Sequence, residues 1–469
     1  MIMKTLLSIL ILTSISLMSY SQLSYTKISA GGEFSAAISS DSALYTWGFN
    51  GNGQLGINNT TTQLSPMLVD SNAKWVEVSA GAWHCLAIKS DGTLWAWGLN
   101  TQGQLGDSSI TQRNTPVQIG TDNNWLSVSA GQAHSLALKK DSSLWAWGYN
   151  GPGCVGDSST SNRIAPKVIM PNKKWISISA GGVHSLAIDA NHELYAWGDN
   201  TVYQLGDSTN VGKMVPSKIG TDNNWLRVSA GFQFSTAIKT DGSIWGWGFN
   251  GNGQLGLGHY NGAWVPTQIG TDVNWHTIEA GASFTFGIKN DSTLWAWGYN
   301  GQGQLGTSDV AQKKAPVQVG SDANYFAIAP ATGFYYNGVY GLHSLALKGT
   351  ANAICATGAN YVGQLGDGTN TSSNQFNCNT GYYTGISEIV ESPNSNINIY
   401  PNPSNGRFTI EALSNIEYVE VFDSYGRLVY QKEYNNKTLN ISLENQTAGI
   451  YYIKLNTAKG VYSSKVVLY

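Results

Sequence analysis

The sequence predicts an all-β chain, a seven-bladed β-propeller followed by a small β-sandwich. The stretch WGFNGNGQLG, Trp47 to Gly56, returns from Trp97, Trp147, Trp197, Trp247 and Trp297, a period of 97 − 47 = 50 residues. A worn copy, TGANYVGQLG, follows at Thr357. Every unit holds four short runs rich in β-branched and aromatic residues, divided by Gly, Asp, Asn and Ser, with no sustained helical periodicity. From Ser395 the repeat is gone, and alternating runs with Gly and Asn-Gly turns replace it.

Unit two shows the grammar of a blade. It reads KWVEVSAG (Lys74 to Gly81), HCLAIK (His84 to Lys89), the turn SDGT, LWAWG (Leu94 to Gly98), the GQLG loop and PVQI (Pro116 to Ile119). Alternation puts Val76 and Val78 on one face and Trp95 and Trp97 together on another. Units that cannot bury their faces alone close economically into a radial ring. A β-solenoid is the competing arrangement, but its usual repeat is shorter. The seventh copy starts 357 − 297 = 60 residues after the sixth, so unit seven carries about ten extra residues. Gly81 and its equivalents are expected at positive φ, and Gly103 and Gly106 where a loop packs closely. Asn50, Asn100, Asn150, Asn200, Asn250, Asn300 and Asn360 are expected to hydrogen-bond their own loops.

The ends differ from the middle. Lys4, the apolar Leu6 to Met18 and the small-x-small Ser19-Tyr20-Ser21 mark residues 1–21 as a secretory leader. Its apolar run is short of the roughly 20 residues that span a bilayer, so no transmembrane segment is expected once it is removed. The propeller is placed at 22–380, a linker at 381–394 and the sandwich at 395–469. Charged residues make up 12% of the chain and the net charge is −3, which provides no basic field for nucleic acid. Four Cys are too few to be the framework of an exported chain this long. Cys85 and Cys154 stand where sister units have Ser135 and Gln104 and read as neutral replacements. Cys355 and Cys378 fall on expected neighbouring strands, and their spacing leaves a bridge and two free thiols both open.

The pattern SAGxxHSLAL, DGxLWxWGxN and GQLG resembles the repeat of the regulator of chromosome condensation family, over about Ser24 to Thr380. That resemblance implies a seven-bladed propeller. The family's eukaryotic archetype exchanges guanine nucleotide on a small nuclear GTPase and binds chromatin. A leader and a sorting tail put this chain where neither partner exists, so that activity is not expected here. The tail's Tyr400-Pro401-Asn402-Pro403, Gly406, Gly449-Ile450-Tyr451-Tyr452 and Lys465-Val466-Val467 resemble the C-terminal sorting domain of the type nine secretion system. This implies the type nine secretion machinery as a partner. It also implies a route through the periplasm to the medium or to an outer-membrane surface attachment. An ordinary accessory sandwich is the bland alternative.

Candidate chemistry dissolves into the repeat. Gly106-Asp107-Ser108 and the Asp189-x-x-His192 spacing suggest a serine esterase, but Gly-Asp-Ser recurs at Gly156 and Gly206 in register, so it reads as loop. His84, His134, His184 and His343 share one position that Phe34, Phe234 and Phe284 occupy elsewhere. One imidazole per blade, freely exchanged for Phe, suits packing better than zinc ligation. Asp91, Asp141, Asp241 and Asp291 fall in tight turns. No enzyme activity, cofactor or metal is expected.

The expectation is therefore an exported monomer that binds an unknown protein or glycan partner. The alternatives are a polysaccharide-acting surface enzyme with its site in the axial depression, and a rigid spacer. In an up-and-down blade the turn after SAG and the GQLG loop share one face of the disc. The extra residues of unit seven lie in that turn and bring Phe334, Tyr335, Tyr336 and Tyr340. Trp83, Phe232 and Phe234 are expected to edge the same face. Aromatic rings among Gly and Asn suit recognition, or else a plug for the axial channel.

Overall fold

The computed structural model describes residues 24–469 apart from 334–340, 350–352, 379–396, 423–427 and 458–459. The predicted leader, the 381–394 linker and Phe334, Tyr335, Tyr336 and Tyr340 lie outside the described residues. All regular elements described are strands, and among the described residues no helix is long and apolar enough to cross a membrane.

Seven four-stranded antiparallel sheets span 25–68, 75–118, 125–169, 175–218, 225–268, 275–323 and 325–378, each from one continuous stretch. The first strand of every blade touches the first strand of the next, and Tyr25–Ala30 of blade one touches Tyr325–Pro330 of blade seven, so the sheets close into a ring. The second strands are buried along all or nearly all of their length, while the fourth are mostly half-buried or exposed. The core therefore sits between blades. In one such cluster Leu86, Ile88, Leu94 and Ala96 of blade two pack on Trp125, Val128, Ala130 and Trp147 of blade three.

Two expectations are corrected. Val76 is exposed while Val78 is buried, because a β-bulge between Trp75 and Glu77 shifts the alternation and turns Trp75 inward. Trp75 then meets the edges of both Trp95 and Trp97, at 6.2 and 5.9 Å. Gly81 is not among the positive-φ glycines; it is required for closeness, since a Cβ there would lie 2.5 Å from the Gly131 carbonyl oxygen. Positive φ falls instead on the loop glycines, such as Gly106 at 78°, where a Cβ would also strike the Trp147 indole at 2.8 Å.

The recurring Trp latches neighbouring blades. Trp97 Nε1 donates to Gln54 O, Trp147 to Gln104 O, Trp197 to Cys154 O and Trp247 to Gln204 O, all at 2.8–2.9 Å. Trp47 Nε1 donates to Gln364 O of blade seven at 2.9 Å, so the same latch closes the ring. Because the acceptor is a backbone carbonyl, Cys154 serves as well as Gln104. The loop Asn behaves as expected: Asn100 Oδ1 accepts from Leu105 N, and its Nδ2 donates to Ser109 O and Thr111 O. In blade seven Thr357 replaces the Trp, and Cys355 and Cys378 pair directly and are joined by a disulfide.

The tail is a five-stranded antiparallel sheet, Ile397–Tyr400, Arg407–Phe422, Leu428–Ser442, Gly449–Thr457 and Gly460–Leu468. Arg407–Phe422 pairs with Ile397–Tyr400 along its first half and with Gly449–Thr457 along its second. Phe408 and Ile410 from one half share a core with Val419, Val421, Ile453 and Val466 from the other, which makes the expected sandwich from long, bent strands.

Candidate functional site

The histidines that recur between blades are structural. His84 Nε2 lies 3.0 Å from Ser135 Oγ in the next blade, and Ser135 Oγ donates to Gln104 O at 2.8 Å. A hydroxyl has one proton, and it goes to the carbonyl, so the imidazole must donate from Nε2. The same pairing joins His134 to Ser185, His184 to Ser235 and His343 to Ser35. Burial, helped by the neighbouring His134, pushes His84 down to about 3. His134, His184 and His343 are likewise held near 3, chiefly by burial. These rings stay neutral, and among the described residues no three His, Cys, Asp or Glu side chains gather as a metal would need.

Where the preceding blade carries Phe, the partner changes. Cys85 follows Phe34 and Thr285 follows Phe234, although Ser344 still follows Phe284. Cys85 is thus a replacement coupled to its neighbour, and a thiol suits an apolar ring that offers no donor.

The acidic motifs resolve as loop chemistry. Asp91 Oδ1 accepts from Thr93 N and Oγ1, and Asp107 accepts from Asn100, Ser109 and Arg113. Asp189 is paired with Lys173 at 2.6 Å, and His192 Nδ1 sits 2.9 Å from Trp225 O. Among the described residues neither Asp189 nor His192 is bonded to a serine hydroxyl, so the esterase constellation does not assemble there.

The expected face does assemble over blades two to five. A groove of about 610 Å³ is lined by Gln102, Gln132, Ala133, Tyr149, Gly182, Val183, Phe232 and Gln233. These residues come from the turns after SAG and from the loops around GQLG, so both connections share one face. Phe49 and Trp83, with ring centroids 5.7 Å apart, make the corresponding aromatic contact between blades one and two. Phe234 does not join them. It opens its strand in register with His84 and is fully buried, so its ring belongs to the core. Its alignment with the histidines was the signal against it.

Sequence reasoning missed how aromatic rings are seated on this face. Tyr149 N donates to Ala133 O and Phe49 N to Glu33 O, backbone to backbone. Tyr149 and Phe49 lie over Gly151 and Gly51, where a Cβ would come within 2.4–2.5 Å of the aromatic side chain. Where that glycine is Thr101 or Thr201, the ring gives way to Leu99 or Asp199. The start of the unit-seven insertion is also placed: Gly333 packs against Gly32 of blade one and Ala82 of blade two, and Gly341 returns beside Gly333.

Two carboxyls stand out. Burial raises Glu33, in the turn of blade one, and Glu279, on the inner strand of blade six, each to about 7. Glu279 stands where blades one to five have Ser and accepts from Ser229 Oγ at 3.1 Å.

In the tail the sorting residues surround the last strand. Asn402 Nδ2 donates to Lys465 O and its Oδ1 accepts from Val467 N, while Gly449 pairs with Leu468. Tyr400-Pro401 and Asn402-Pro403 are cis, and Tyr400 Oη donates to Glu411. Gly406, at φ 98°, is hydrogen-bonded through its carbonyl to Leu443 N.

Comparison with known proteins agrees with this geometry. Residues 398–469 match the secretion system C-terminal sorting domain, which makes the chain a secreted propeller protein or one attached at the outer-membrane surface. Residues 275–304 and 291–335 match regulator of chromosome condensation (RCC1) repeats. No curated protein matches the chain. Among solved structures, human WBSCR16 is 21% identical over 66% of this chain and 85% of its own, with a TM-score of 0.60. Prp20p from Saccharomyces cerevisiae is 19% identical over 66% of this chain and 80% of its own, also with a TM-score of 0.60. At that identity the likeness carries the fold alone. The RCC1-like domain matches residues 16–284, which is 284 − 16 + 1 = 269 of 469 residues, and the chain belongs to the RCC1-like domain family.

Proposed function

We propose that this chain is a non-catalytic binding module, exported through the periplasm, that presents the groove face of its propeller to a protein or glycan partner. One observation carries the reading. The latch positions hardly vary between blades, whereas the groove-face positions Glu33, Trp83, Ala133, Val183, Gln233 and Ser283 differ in every blade. Variation at one place on a rigid scaffold is what a recognition surface requires. The test is a photo-crosslinking residue at Val183, used on intact cells. Specific capture that weakens in Tyr149→Ala supports the reading; no capture, or capture indifferent to the groove, refutes it.

A second reading, a polysaccharide-acting enzyme, draws on Glu33 and Glu279, because a carboxyl held near 7 suits general acid chemistry. Release of reducing sugar from surface polysaccharide by the purified chain, abolished in Glu279→Gln, would establish it in place of the binding module.

A further inference from the structure

We infer that the groove over blades two to five is a site for a neutral saccharide of about two or three sugar rings; this rests on the binding-module reading above. The volume of about 610 Å³ falls within the ~300–1,000 Å³ of small-molecule sites. The lining decides the ligand class. Three of its eight residues are glutamines (Gln102, Gln132 and Gln233), two are aromatic (Tyr149 and Phe232), and none is charged.

Each alternative ligand lacks its complement. A phosphate or carboxylate ligand needs Arg, Lys or a helix N-terminus, and a cation needs carboxylates, yet neither lines the groove. A wholly apolar ligand would cover the three amides without bonding to any of them. A peptide strand would need an open backbone edge. The turns here are already bonded blade to blade, Gln132 N to Gly181 O at 3.2 Å and Gly182 N to Gly231 O at 3.1 Å.

A neutral sugar fits what remains. Each hydroxyl is donor and acceptor at once, as is each primary amide. The C–H face of a pyranose is a flat apolar surface that stacks on an aromatic ring, while its rim stays polar. Tyr149 supplies such a ring over Gly151, and Phe232 supplies another against Gly182, where a Cβ would meet its ring at 2.5 Å. Both rings are half-buried and backed by glycine backbone, so ligand contact orders little that is not already fixed. An exported chain also meets polysaccharide outside the cell.

The test is isothermal titration of the purified exported chain with glucose-, mannose-, galactose- and N-acetylglucosamine-based neutral trisaccharides, with trigalacturonate as the anionic counterpart. Saturable binding of at least one neutral trisaccharide is expected. It should weaken about tenfold or more in both Tyr149→Ala and Gln132→Ala. It should persist in Trp264→Ala, which alters an exposed outer-strand ring stacked on Tyr203. An unchanged melting temperature shows that each variant is folded. The saccharide assignment is overturned if no neutral trisaccharide binds, if trigalacturonate binds as tightly, or if the two groove variants bind normally. Should sugars fail while Tyr149→Ala still abolishes crosslinking to a surface protein on intact cells, the binding module stands with a protein ligand. Should both fail, the reading of this face is wrong.

Discussion

Acid should loosen the propeller at its blade interfaces, and the buried histidines set the size of the effect. Folded, His84 and His134 are held near 3, while an unfolded chain titrates at the ordinary 6.5. Between those values the unfolded state binds the extra proton, so stability present above 6.5 is lost as the pH falls toward 3. At about pH 5 the ordinary value lies about 1.5 units above the solution, and each ring loses about 1.5 × 1.36 ≈ 2 kcal/mol relative to neutral pH. Glu33 and Glu279, raised to about 7, act in the opposite sense and favour the folded state as the pH falls from 7 to 4.5. The wild-type slope therefore mixes the two signs, and a difference isolates the histidines. His84→Phe with His134→Phe uses a residue the chain already accepts at Phe34, Phe234 and Phe284. Urea unfolding followed by Trp fluorescence, at about pH 7.5 and about pH 5, should show the double variant losing about 2 × 2 ≈ 4 kcal/mol less than wild type on acidification. An identical pH dependence, or the His84 and His134 imidazole resonances titrating near 6.5 in the folded chain, would refute the buried neutral assignment.

The latch predicts an asymmetry between equivalent tryptophans. Trp197→Phe removes a hydrogen bond to Cys154 O and should cost about 1 kcal/mol more than Trp297→Phe, whose Nε1 has no partner among the described residues; equal losses in urea unfolding would count against the latch. Reducing the Cys355–Cys378 bond, 23 residues apart, should lower unfolding stability by about 3 kcal/mol, and an unchanged urea midpoint under reductant would show that blade seven does not need it. Deleting Ser395 to Tyr469 should leave a folded propeller trapped in the periplasm; normal surface levels of the truncated chain by cell fractionation would remove the sorting role.

Much of this architecture was legible because a 50-residue period fixes blade number and strand count without any tertiary detail. The loop asparagines were legible too, since their bonds are local in sequence. What was not legible depends on partners a blade away. The bulge that buries Trp75 leaves no local signature in KWVEV, so simple alternation misplaced Val76. The positive φ expected at Gly81 proved to be a close approach to blade three, which no single repeat displays. Phe234 was assigned to the face by its nearness to Phe232, whereas its register with the histidines put it inside. The coupling of Phe34 to Cys85, and of Tyr149 to Gly151, was readable across the copies once one knew which positions touch.

That coupling explains how one blade can be copied and still carry a distinctive surface. The bonds that join blades use backbone carbonyls or small hydroxyls: Trp to Gln O, Ser to Gln O, and Ala N to the Ser of the preceding inner strand, as in Ala80 to Ser29. The contact that shapes the groove face is also backbone to backbone, Tyr149 N to Ala133 O and Asp199 N to Val183 O. It holds whatever side chains those residues carry, so these positions vary at no cost to closure. Blade seven inverts the pattern. Pro330 has no N–H to offer Glu279, and Ala329 has no hydroxyl for Ala30, so the inner-strand bond that joins the other blades is absent on both of its sides. The disulfide and the insertion neck between Gly333 and Gly341 sit in that same blade. The propeller thus keeps its uniform bonds where rigidity is needed and concentrates its departures from the repeat in the groove face and in blade seven.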